Sequence, residues 1–147
     1  MSVKKKFELD IEYDDEFLLF GLVTGIKSYT LAWHLNKLLE IKLKKLDDIQ
    51  YIMKDGGDFY ISSYCFSTEH LTFRLLKNKG YGLKEKLIPF LVPEMNKYDF
   101  FLHIHGEIDL VDKSKVLSKL RNSDFLTFSS LVETDKMKSK NNFVTLH

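Results

Sequence analysis

His103, His105 and Glu107 stand at i, i+2 and i+4, a spacing that on a β-strand projects all three side chains from one face. Two imidazoles and a carboxylate are the donor set of a transition-metal site, and His70 or His34 on other elements would be the natural further ligands. A metal-dependent enzyme using a His-x-His strand site is therefore one reading. Alternate strand residues lie about 7 Å apart, which stretches a three-ligand set drawn from one strand. Gly106 also threatens to end the strand before Glu107. The same residues read structurally as a solvated or half-buried polar strand face.

Other chemistry finds less support. Cys65, between Tyr64 and Phe66, is the single cysteine; it reads as a buried structural thiol and allows neither an internal disulfide nor a thiolate metal cluster. No Gly-x-Ser-x-Gly elbow occurs. Asp55-Gly56-Gly57-Asp58 would set two carboxylates beside a phosphate, whereas a hairpin tip accommodates them. Lys136, Lys138 and Lys140 alternate, and Lys42, Lys44 and Lys45 follow a predicted helix, so an RNA-binding module is a further reading. Lys and Arg number 22 against 21 Asp and Glu, a net charge of +1, and no aromatic RNA-binding motif accompanies the lysines. Nucleic acid is thus not the expected partner, and no cofactor is implied.

The elements that must position these residues follow from hydrophobic periodicity. The 147 residues, 44% hydrophobic and 29% charged, have the size and composition of a single α+β domain spanning 1–147. Phe7, Leu9, Ile11 and Tyr13 alternate with acids as in a half-wet strand, and Phe17 to Val23 reads as a central strand covered on both faces. Ser28 is placed to cap a helix running to Leu39, with Leu31, Ala32, Leu35, Leu38 and Leu39 forming its apolar stripe. Ile41–Met53, Phe59–Phe66 and Leu71–Leu76 read as an antiparallel meander turning at Asp55–Asp58. The stretch Leu83–Leu91 is ambiguous, since Pro89 disfavours helix at Ile88. Along Tyr98–Ile108, Phe100, Leu102, Ile104 and Ile108 point one way while Phe101, His103, His105 and Glu107 point the other. Asp112 caps a second helix, and Phe125–Val132 returns as a strand. The expected fold is a mostly antiparallel sheet of about six strands with two helices on one face, and ferredoxin-like packing is the nearest common architecture.

On the first helix Tyr29, Trp33 and Asn36 fall opposite the apolar stripe. An indole there calls for a covering layer: a loop such as Lys79–Leu91, a partner protein, or a second copy in a homodimer. A non-enzymatic protein-interaction module, with Tyr29, Trp33 and Asn36 as the partner-binding residues, is the leading expectation. The apolar stretch Phe17–Ile26 is too short to span a bilayer. Glu8, Asp10 and Glu12 occupy the place of a signal peptide's apolar region, so no membrane contact and a cytoplasmic location are expected.

Val92-Pro93-Glu94-Met95-Asn96-Lys97-Tyr98-Asp99-Phe100 resembles the signature of the IPExxxVDY family, small uncharacterised proteins of Bacteroidetes. Pro93, Glu94 and Asp99 match outright, while Val92, Tyr98 and Phe100 replace Ile, Val and Tyr. Asp10-Ile11-Glu12-Tyr13, Tyr29-Thr30-Leu31-Ala32-Trp33 with Asn36, and Lys138-Ser139-Lys140-Asn141-Asn142-Phe143 are similar to the same family. The resemblance implies a bacterial cytoplasmic protein and no catalytic residue. Physically, Pro93 suits a strand entry or edge, and the carboxylates of Glu94 and Asp99 can accept main-chain amides and pin the loop.

Overall fold

The computed structural model describes residues 16–52, 57–82, 89–144 and 146. The strand expected at Phe7–Tyr13, residues 55 and 56 of the hairpin tip and residues 83–88 lie outside the described residues. In chain order the elements are β1 (Phe17–Val23), α1 (Ser28–Leu39), β2 (Lys44–Lys45), β3 (Ile49–Ile52), β4 (Asp58–Ile61), β5 (Ser63–Ser67), β6 (Leu71–Lys77), β7 (Tyr81–Gly82), β8 (Phe100–Gly106), α2 (Lys113–Asn122), β9 (Phe128–Leu131) and α3 (Asn141–Val144). Short 3₁₀ turns occupy Pro93–Met95, Ile108–Leu110 and Thr134–Lys136.

Among the described residues the main sheet has six antiparallel strands in the order β2-β5-β6-β8-β1-β9. Within it, β9-β1-β8-β6 with α1 after β1 and α2 before β9 has the strand order of ferredoxin-like packing. A second sheet, β3-β4-β7, is a departure from the expected single meander. The run Phe59–Phe66 breaks at Ser62, so β4 pairs with β3 while β5 pairs with β6. The continuous run of strand-forming residues hid this change of sheet.

Both faces of the central strands β1 and β8 are covered, which accounts for the unbroken apolar run of β1. On one face Phe20, Leu22, Leu75, Phe100, Leu102 and Ile104 pack against Leu31, Ala32 and Leu35 of α1 and Leu120 of α2. On the other, Leu19, Leu76 and Phe101 meet Phe59 and Ile61 of the small sheet, Leu91, Val92 and Tyr98 of the signature loop, and Phe143 of α3. The alternation holds along β8 from Phe100 to His105, while Glu107 and Ile108 fall beyond its end at Gly106. Its second face is buried: His103 is fully covered, where a wet or half-wet surface is expected from the sequence.

Local signals hold in most places. Asp112 caps α2, its carboxylate accepting from Lys115 N–H at 3.1 Å. Ser28, by contrast, is the first helical residue; Lys27 occupies the N-cap without a side-chain bond. Glu40 ends α1 in the left-handed region at φ 57°. Cys65 is half-buried rather than buried, because it lies where the sheet thins toward its two-residue edge strand β2.

Gly21 lets the Tyr98 ring lie directly on β1. A Cβ at this position would fall 2.5 Å from Tyr98 Cε1, inside any tolerable contact. Gly21→Ala is expected to cost about 1–3 kcal/mol through overpacking. Urea denaturation measures it, and most of the loss should vanish in a Tyr98→Ala background, where the ring is gone.

Candidate functional site

The signature residues gather around a side chain on another element. Asn78, directly after β6, is fully buried. Its Nδ2 donates to the carbonyls of Met95 at 3.0 Å and Tyr98 at 2.9 Å, and its Oδ1 accepts from Val92 N–H at 2.9 Å. Its main chain joins in: Asn78 N–H donates to Asp99 O and Leu91 N–H donates to Asn78 O. One carboxamide therefore mimics a strand partner for a loop that has none.

The two signature carboxylates reach outward from this loop, each to a remote segment. Glu94 accepts from Ser139 N–H at 2.8 Å and from the Ser139 hydroxyl at 2.7 Å. Asp99 Oδ2 accepts from Thr24 N–H at 2.9 Å, and Thr24 in turn donates through Oγ1 to Phe125 O at 2.8 Å. Pro93 stands at the first position of a 3₁₀ turn, where its missing N–H costs nothing, and not at a strand entry or edge as expected. Partial burial pushes the Glu94 carboxyl upward. The Ser139 hydroxyl and the main-chain amides outweigh this and hold it below the usual carboxylate range.

Beside this loop an open cleft of about 470 Å³ is lined by Met95, Lys97, Tyr98, Ser130, Val132 and Lys136, among others. The Tyr98 and Ser130 hydroxyls share a hydrogen bond of 2.5 Å in its wall, and Lys97 Nζ lies 5.2 Å from the Tyr98 ring centre.

On α1, Tyr29 is 64% and Trp33 54% exposed. Lys37 Nζ lies 4.1 Å from the indole centre, and the His34 ring meets its edge at 5.1 Å. Asn36 spends its carboxamide on the chain leaving the helix: Leu43 N–H donates to Oδ1 at 2.8 Å and Nδ2 donates to Leu43 O at 3.3 Å. The expected trio thus divides into two exposed rings and one residue that holds the fold.

The histidines are not brought together around a common centre. His103 lies among Phe17 at 4.8 Å, Phe143 at 5.5 Å and His105 at 5.5 Å between ring centres. His34 is on the helical layer, stacked on Phe125 at 4.7 Å. Glu107 turns to the His70 ring. Among the described residues no group of three or more His, Cys, Asp or Glu side chains is placed to hold a metal ion. The lysines divide as well: Lys44 and Lys45 lie on edge strand β2, whereas Lys136 follows β9 at the opposite edge. No helix among the described residues is long and apolar enough to cross a membrane.

No protein-family model matches the chain, and no curated protein matches it. Asn78 and Ser139 carry the loop's geometry, yet neither stands out in the sequence. Asn78-Lys79-Gly80 reads as an ordinary turn, and only the predicted pinning by Glu94 and Asp99 points toward a partner for each.

Two outcomes follow for this loop. Asn78→Ala leaves the Val92 N–H and the Tyr98 carbonyl without their partner, while the Met95 carbonyl keeps the Tyr98 N–H. At about 1–3 kcal/mol for each orphaned group, chemical denaturation should show a loss of about 2 kcal/mol or more. The Glu94 contribution is present in full above the ordinary carboxylate pKa and is lost as pH falls through the lower folded value. Wild type should therefore exceed Glu94→Gln in urea midpoint at neutral pH, and the gap should close on acidification; a gap independent of pH would refute the assignment.

Proposed function

We propose that this chain is a non-enzymatic protein-interaction module that engages a partner protein through the exposed face of α1. The observation that carries the reading is the pair of aromatic rings, Tyr29 and Trp33, set one turn apart on a helix whose other face is wholly committed to the core. An indole this exposed, with a lysine ammonium over its face, combines large apolar area with a polar rim, the character of a binding hot spot. A cytoplasmic, bacterial setting and kinship with the IPExxxVDY family belong to the same proposal. The kinship is supported by the structural contacts made at each of its identical signature positions, since Pro93 starts the turn, Glu94 holds Ser139, and Asp99 holds Thr24.

The experiment is an affinity capture from the native cell with wild type and Trp33→Ala side by side. A partner retained by wild type should be lost or reduced at least about tenfold with the variant, while the melting temperature stays unchanged because the indole supports little of the core. Equal capture by both proteins, or a variant that only melts earlier, would remove α1 as the contact.

A further inference from the structure

Among the described residues the main sheet ends in two edges of opposite character. At one edge β2 is short and consists of Lys44 and Lys45, charged residues of the kind that discourage strand addition. At the other, β9 reads Phe128-Ser129-Ser130-Leu131, with no charge or proline, and Phe128 is 48% exposed. The direction of its main-chain groups follows from pairing. Val132 N–H donates to Leu19 O, and Ser130 and Phe128 share that parity, so their main-chain groups turn to β1 while those of Ser129 and Leu131 turn outward.

We propose that β9 is the interface of a two-fold symmetric homodimer, formed by antiparallel pairing of β9 with β9 of a second copy about Ser130. In this register Ser130 faces Ser130 of the second copy, and each Ser129 faces the other copy's Leu131, the two residues whose main-chain groups point outward. The Ser129 carbonyl already accepts a long bond from Arg121 Nε at 3.4 Å, and its second lone pair remains for a strand partner.

The edge is self-complementary in shape, which is why a second copy is the occupant. Phe128 and Ser130 lie on the Tyr98 side of the sheet: Phe128 stacks with Tyr98 at 6.4 Å, and Ser130 shares its hydroxyl. The register brings each Phe128 opposite the other copy's Val132, into the open cleft lined by Met95, Tyr98 and Val132. Knob and hole therefore sit at equal distances either side of Ser130, as an isologous contact demands. On the helical side a smaller cleft, about 210 Å³ and lined by Leu120, Leu126 and Ser129, receives the incoming Leu131. Acids and lysines are both present in the larger cleft, Glu94 and Glu133 with Lys97 and Lys136, so like charges do not oppose the approach.

The test is sedimentation equilibrium together with cysteine cross-linking of the full chain. Wild type should sediment as a dimer, and Phe128→Glu should weaken association by roughly a hundredfold, because each copy contributes one ring, while circular dichroism stays native. Trp33→Ala should remain dimeric, which separates this interface from the α1 face. In a Cys65→Ala background, Ser130→Cys should form a disulfide-linked dimer on mild oxidation, since facing residues of this type lie about 4.5 Å apart between Cα atoms; Lys44→Cys at the far edge should not. A wild-type protein that is monomeric at about 100 μM, well above the Kd range of stable dimers, leaves the edge to some other extended chain and overturns the proposal. So does a dimer that survives Phe128→Glu.

Discussion

A chain that leaves one sheet and returns to it carries main-chain donors and acceptors through the interior, and burying them without partners would cost more than the packing gains. Among the described residues between β6 and β8, Asn142 serves the Leu91 carbonyl and the largest share of this burden falls on the Asn78 side chain. Its carboxamide takes one donor and two acceptors from the returning loop, and its main chain binds the same loop at Leu91 and Asp99. Because the loop is fixed from within, Leu91, Val92 and Tyr98 can be delivered to the core as a unit. Tyr98 then covers Gly21 on β1, and Asp99 and Glu94 are aimed at Thr24 and Ser139. Three distant parts of the chain are thereby registered on one amide.

Burial of both faces of the central strands β1 and β8 follows from that delivery. With helices on one side only, β8 would have kept a wet face, and His103 and His105 would have been available to solvent. The signature loop, the small sheet and α3 close that side, so the His103 ring becomes part of an aromatic layer with Phe17 and Phe143. The same residue types at the same spacing thus acquire a packing role from a layer that lies far away in sequence.

Much of the architecture is legible in the residues. The stripe from Leu31 to Leu39 locates α1 between its observed ends, the alternation along β8 assigns its two faces, and Asp112 marks the start of α2. Those signals are local: each is a period or a cap within one element. Two local signals miss, Ser28 as a cap and Pro93 as a strand entry, but the misses that change the architecture or the site are non-local. Nothing around Ser62 announces that β4 and β5 belong to different sheets, since both flanks are equally rich in strand formers. Asn78 sits beside Gly80 in what reads as a turn, and its worth depends on a loop that returns only at Leu91. Asn36 lies on the helix that its spacing predicts, yet its carboxamide turns to Leu43 rather than outward, because the left-handed Glu40 reverses the chain across it.

The polar groups that would first be enlisted for chemistry on the strength of their residue types are thus engaged in holding chain segments together. Glu94, Asp99, Asn78 and Asn142 each bind main-chain atoms of remote residues, and the Tyr51 hydroxyl donates to Asn142 O in a setting whose burial pushes its ionisation far above the ordinary tyrosine value. A carboxylate fixed by two donors from Ser139 gives up a structural contact whenever it takes a proton or turns to a ligand, so general acid or base work at Glu94 would compete with the fold. Recognition through aromatic side chains carries no such conflict. Tyr29, Trp33 and Phe128 expose large ring area on elements whose opposite faces already secure them, and covering those rings by another protein would add contact without dissolving any bond that the fold requires.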